Sequence, residues 1–184
     1  MKFEFIDNSL ILENGLKFTF GMTKSEVAKL LKGYEYLYGK MYLIYPKKIT
    51  HLDETYQYEE LGNIKLRYLD NSLFLFHIPV EFNELFFKSV NLLNENYKDT
   101  VKQLKRGKCK CFYEKFLSFE TYHLKDFPIT LDIQDDKFLQ VTISSVEYRE
   151  AMEKEEGLYY AKMSRDKEDN VVIRYTRIKK WLTF

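Results

Sequence analysis

The chain has 184 residues, 45% of them hydrophobic and 17% aromatic, enough to close a core and to exclude a disordered segment. Lys and Arg number 29 against 28 Asp and Glu, and the formal charge of +1 excludes any general pull towards nucleic acid or an anionic membrane, so such a role has to rest on a local patch. No stretch of eighteen apolar residues is present to span a bilayer, and charges interrupt the first seven residues as no secretory leader allows, so a cytoplasmic location without membrane contact is expected.

Taken in chain order, residues 2–12 alternate Phe3, Phe5, Leu10 and Leu12 about Asp7-Asn8-Ser9, the pattern of a tight hairpin. Asn14-Gly15 then turns the chain into a strand through Leu16, Phe18 and Phe20. A helix is predicted over 23–32: Thr23 caps it with Glu26 three places on, Val27, Leu30 and Leu31 make an apolar stripe, and Gly33 permits a left-handed exit. The tyrosine-rich run 34–45 predicts two strands about Gly39-Lys40, stopped by Pro46, and 47–62 predicts a polar connection. Strands at 64–69 and 73–80 flank Asp70-Asn71-Ser72.

From 82 to 105 the spacing predicts two helices, one with Leu85, Phe86, Val90 and Leu93 on a face, the other running through Val101 and Leu104 to Gly107. Strands follow at 109–113, 117–124, 129–133 and 138–146, then a charged helix over 147–156 and a closing hairpin of 158–164 and 171–184. A displacement of 65 positions lays Ile129, Leu131, Ile133 and Asp135 on Ile64, Leu66, Tyr68 and Asp70. These elements predict an α+β fold, antiparallel sheet with short helices on one face, made by internal duplication: one α/β unit over 1–80 and a second over 81–184 that includes the C-terminal hairpin, packed as one globule.

Chemistry is hard to find in this chain. His51, His77 and His123 stand far apart, and Cys109 and Cys111, two residues apart, suit neither a disulfide nor a zinc site, so no metal is expected and both thiols are read as reduced packing groups. The acidic loop 166–170 lacks the glycine and the closing Glu of a calcium loop. No nucleophile elbow and no glycine-rich phosphate cradle occur, so neither catalysis nor a cofactor is expected.

Two surface candidates remain. Tyr36, Tyr38, Tyr42, Tyr56 and Tyr58 are good binding material, large in area and poor in rotors, and Asp53, Glu54, Glu59 and Glu60 in the expected polar loop supply an acidic rim for a basic partner. Arg174, Arg177, Lys179 and Lys180 beside the sole Trp, Trp181, form a basic strand suited to a nucleic-acid backbone, or to protecting a sheet edge from aggregation.

Gly21-Met22-Thr23-Lys24-Ser25-Glu26-Val27, echoed more weakly at 101–107, resembles the helix opening of tandem α/β repeats of the β-lactamase-inhibitory-protein type. That resemblance, over about residues 16–146, implies short helices on one face of an antiparallel sheet, with the duplicated sheets offering a concave or exposed face to a protein partner. The Lys-, Glu-, Asn- and Tyr-rich composition is also similar in general type to cytosolic immunity proteins of bacterial toxin systems. The expectation is therefore a non-catalytic protein that neutralises a toxin or enzyme by stoichiometric binding; the alternative is a nucleic-acid-associated or phage-type accessory protein using the basic C-terminal strand.

Overall fold

The computed structural model describes residues 1–44, 50–81, 83–94, 96–116, 119–124, 127–135, 137–148, 150, 159–168 and 171–177. Its first hairpin joins β1 (Lys2–Ile6) to β2 (Ser9–Leu12), with Asp7 and Asn8 both at positive φ, the geometry that matches the twist of two paired strands. β3 (Lys17–Thr19) pairs with β2, and α1 (Lys24–Leu30) opens with a complete capping box: the Thr23 side chain accepts from the Glu26 amide while the Glu26 carboxylate accepts from the Thr23 amide. Val27 and Leu31, four residues apart, are buried; Leu30, expected in the same stripe, is 40% exposed because the helix rests on a single row of side chains.

β4 (Leu37–Ile44) is one continuous strand, which corrects the expected pair of strands about Gly39: that glycine is extended and pairs with Thr55. β5 (Thr50–Tyr58) replaces the expected polar connection, a short helical turn at Glu59–Leu61 follows, and Pro46 lies outside the described residues. β6 (Ile64–Leu69) and β7 (Ser72–Pro79) form the expected hairpin. The predicted helix at 82–93 is instead a hairpin of β8 (Glu84–Phe87) and β9 (Val90–Asn91), since Leu85 and Phe87 alternate inward and Lys88 and Ser89 both take the positive φ of a tight turn.

α2 (Tyr97–Arg106) is followed by β10 (Cys111–Phe116), β11 (Phe119–Leu124), β12 (Ile129–Gln134), β13 (Lys137–Ser144), β14 (Tyr159–Arg165) and β15 (Val171–Arg177). Residues 146–148 enter a helical turn, and most of the helix expected over 147–156 lies outside the described residues. Cys109 is buried just before β10 and Cys111 begins it; both are free thiols. No helix among the described residues is long and apolar enough to cross a membrane.

Two sheets result. The smaller runs β3-β2-β1-β8-β9, and the larger runs β10-β11-β12-β13-β7-β6-β5-β4-β15-β14. Among the described residues all pairings are antiparallel except β1 with β8 and β4 with β15. β15 is thus flanked on both sides, not the edge strand that its charges suggest; β14 is the edge. The smaller sheet and both helices cover one face of the larger, where Leu66, Tyr68, Phe76, Ile78, Leu131, Val141 and Ile143 meet Phe3, Phe18, Val27, Leu85 and Leu104 in one core.

The registers of the β6–β7 and β12–β13 hairpins are the same, 65 positions apart. Leu66 faces Phe76 as Leu131 faces Val141, and each pair of strands slips by one residue at the corresponding place, after Arg67 and after Asp132. β7 and β13 then meet antiparallel, with Phe76 opposite Ile143, His77 opposite Thr142 and Ile78 opposite Val141, so the two hairpins are related across their seam by an approximate two-fold.

Gly62, at φ +71°, closes the turn before β6, where buried Asn83 donates to the carbonyl oxygens of Gly62 (2.8 Å) and Pro79 (2.9 Å). A Cβ on Gly62 would stand 2.2 Å from Asn83 Oδ1. Gly33, also left-handed, faces open space. Gly33→Ala is expected to cost about 1–2 kcal/mol from backbone strain alone, and Gly62→Ala at least about 1 kcal/mol more because Asn83 must abandon its bonds; urea unfolding of the two variants measures the difference.

Candidate functional site

Because side chains alternate along a strand, the register decides which tyrosines share a face. Tyr38 stands opposite Tyr56, and Tyr56 opposite Leu66, so both rings lie on the helix-bearing face of the large sheet. Tyr36, Tyr38, Tyr56, Tyr58 and Tyr68 form one aromatic cluster: Tyr36 is 5.1 Å from Tyr56 and 5.8 Å from Tyr58, Tyr38 is 5.1 Å from Tyr56, and Tyr56 is 5.5 Å from Tyr68, edge-on. Tyr42 shares the strand parity of Tyr38, and the Lys40 ammonium lies 5.8 Å from its ring. Tyr36 and Tyr38 are about half exposed, Tyr42 and Tyr56 are partly covered, and Tyr58 and Tyr68 are buried. The cluster is a ledge, wet at its rim and dry at its root.

Glu54 fixes the ledge. Its carboxylate is buried, accepts from the Tyr38 hydroxyl at 2.8 Å and pairs with the Lys24 ammonium of α1. Burial, and then the bond to Glu54, raise the Tyr38 pKa above the usual phenol value; burial alone is the main cause for Tyr58, pushed up to about 12. The hydroxyls of Tyr38 and Tyr58 therefore stay protonated throughout the physiological range.

The acids expected as a rim divide. Asp53 and Glu54 are 2% and 5% exposed, because β5 aims them to opposite faces and Arg67 and Lys24 neutralise them. This corrects their placement on an exposed polar loop. Glu59 and Glu60, on the short turn after β5, are exposed. Arg174 and Arg177 lie within β15; Lys179, Lys180 and Trp181 fall outside the described residues.

A second aromatic ledge went unseen in the sequence. Tyr113 stands opposite Tyr122, and Tyr122 opposite Leu131, which puts both rings on the same face as Tyr38 and Tyr56, at the other end of the strands from β10 to β4. The rings are 5.0 Å apart, Tyr97 of α2 lies 5.9 Å from Tyr122, and Tyr113 is about half exposed. Glu120, two residues before Tyr122 as Glu54 is before Tyr56, accepts from Tyr113 and from Lys115, the latter at 2.6 Å. The signal was there: Glu-Thr-Tyr occurs at 54–56 and again at 120–122.

The opposite face of the large sheet carries a polar row across adjacent strands. Asp53 pairs with Arg67, and Arg67 approaches Nε2 of His77 at 3.4 Å. Thr142 donates to Asp132 at 2.6 Å and its oxygen lies 3.0 Å from Nδ1 of His77, while the Gln140 amide nitrogen stands 3.2 Å from the same ring nitrogen and donates to Asp132 at 3.1 Å. Beside it is a cleft of about 400 Å³ lined by Gln57, Asn63, Lys65, His77, Glu81 and Gln140 among others. His51 pairs with Asp70, away from this row, and among the described residues no three His, Cys, Asp or Glu side chains gather as a metal site.

Comparison with protein-family models, curated proteins and solved structures finds no match, so function has to be argued from these surfaces.

Burial, followed by the cations Arg67 and Lys65, lowers the His77 pKa to about 3, while burial raises that of Asp132. Below the ordinary histidine pKa the unfolded chain binds a proton that the folded ring refuses, so this contribution is intact above pH ~6.5 and lost as pH falls towards 3. Between pH ~6 and ~5 unfolding free energy should drop by about 1 kcal/mol through this residue, and His77→Gln should flatten that slope in urea titrations.

Proposed function

We propose that the protein is a cytoplasmic, non-catalytic binding protein of the immunity or inhibitor type, which neutralises a protein toxin or enzyme by stoichiometric occlusion. Its support is the first tyrosine ledge: Tyr36 and Tyr38 are exposed, yet their rings lean on Tyr56 and Tyr58 and Tyr38 is tied to buried Glu54. Rings held in place before contact lose little entropy on binding, and an aromatic cluster with polar tips is the usual composition of an interface hot spot. Glu59 and Glu60 border the same end of β5 and suit a basic partner, steering it and fixing its orientation more than adding affinity.

Internal duplication belongs to the same proposal. It is supported by the common register of the two hairpins, by their slips at corresponding places and by the recurrent Glu-Thr-Tyr. Under this reading the two ledges descend from one ancestral surface, and the first, with exposed acids beside it, is the one that meets the toxin or enzyme.

Tagged protein should recover one partner from host lysate in equal amount and insensitively to nuclease. Tyr36→Ala, which removes no buried hydrogen bond, should weaken that complex by at least about tenfold, and Glu59→Lys with Glu60→Lys should slow association. Recovery that disappears on nuclease treatment, or a complex indifferent to Tyr36→Ala, would contradict the proposal.

A further inference from the structure

The second ledge has the opposite electrostatic setting from the first. Residues 97–110 carry Lys98, Lys102, Lys105, Arg106, Lys108 and Lys110 against one acid, Asp99, in a chain whose whole charge is +1, and all six cations are exposed. α2 buries Tyr97, Thr100, Val101 and Leu104 and so turns the other side outward, where Lys98, Lys102, Lys105 and Arg106 recur at one-turn intervals of about 5.4 Å. Lys98 leans over the Tyr97 ring, 5.6 Å from its centroid. Among the described residues Lys102, Lys105, Arg106, Lys108 and Lys110 have no ion-pair partner, unlike Lys24 and Lys115, which serve the carboxylates of the two ledges. Tyr97 packs on Tyr122 and Phe138, which sets this cation row on the same side of the sheet as the exposed Tyr113 ring.

We infer that α2, the 107–110 connection and the Tyr113–Tyr122 pair form a binding surface for single-stranded nucleic acid. The two requirements for such binding are a file of cations that tracks phosphates and an adjacent aromatic face on which a base can stack, and here they are neighbours. A duplex has no unstacked base to give Tyr113, so a single strand is the better ligand. This inference goes beyond the protein-docking proposal, uses none of its residues, and stands or falls separately.

The test is fluorescence anisotropy with a labelled single-stranded RNA of about 15 nucleotides, long enough for one binding site. At low salt the protein should bind it, more tightly than a duplex of equal length, with a log–log salt slope of roughly −2 to −3 for three or four phosphates. Lys102→Gln/Lys105→Gln/Arg106→Gln, all surface changes, should weaken binding by at least about tenfold and flatten the slope by about 2. Tyr113→Ala should weaken it by at least about fivefold with the slope kept. Lys29→Gln/Lys32→Gln, exposed cations at the other helix, should change binding by less than about twofold. Absence of binding at low salt, equal loss in the Lys29/Lys32 variant, equal affinity for duplex, or equal competition by a polyglutamate peptide would each overturn the inference.

Discussion

The antiparallel seam between β7 and β13 governs everything else in the large sheet. Phe76 against Ile143 and Ile78 against Val141 commit one face of both strands to the core, which leaves His77 and Thr142 opposite each other on the other face. Strand side chains have a period of two, so a slip of one residue at this seam would turn one whole half inside out. With the seam as it is, parity carries outward without a break, from Phe76 through Leu66 and Tyr56 to Tyr38, and from Val141 through Leu131 and Tyr122 to Tyr113. Both ledges face the same way for that reason. They are separated by the strands between β4 and β10, about 34 Å at roughly 4.8 Å per strand.

Within that frame, each ledge solves the same problem. A tyrosine at the rim needs its hydroxyl satisfied and its ring held, and a glutamate two residues before the facing tyrosine does both, with a lysine to neutralise it. Around this common unit the surroundings diverge. Glu59 and Glu60 adjoin the first ledge, whereas six cations from α2 and the following connection adjoin the second. A nearly neutral chain thus carries two aromatic surfaces of opposite electrostatic character, which is how a formal charge of +1 conceals a strongly basic patch.

Much of this was legible in the sequence where local signals agreed. The hairpins about Asp7-Asn8 and Asp70-Asn71, the capping box at Thr23 and the helix ending near Gly107 are all set by short-range chemistry, and all appear in the fold. β5 is hidden in the sequence because its charges are compensated only in three dimensions: Asp53 and Glu54 read as a solvated loop until Arg67 and Lys24 arrive from distant elements. Helix is the expectation where β8 and β9 stand because Leu85, Phe86, Val90 and Leu93 fit a helical period as well as an alternating one. The expected edge position of β15 failed for a different reason: its parallel pairing with β4 joins segments too far apart for any local pattern to announce. Tyr36, Tyr38, Tyr56 and Tyr58 are candidates on residue type alone, and register gathers them with Tyr68, with Tyr42 on the same face by strand parity; the second ledge is hidden because its repeated tripeptide stands 66 positions on, one more than the displacement that aligns the hairpins.

Amide hydrogen exchange on the free protein measures the β7–β13 seam directly. If β7 and β13 are joined as described, the amides of Phe76, Ile78, Val141 and Ile143 should be among the slowest to exchange and should open together, at the free energy of global unfolding. Exchange of Phe76 and Ile78 at one free energy and of Val141 and Ile143 at another, well below global unfolding, would contradict a continuous sheet and would remove the reason for placing the two ledges on one face.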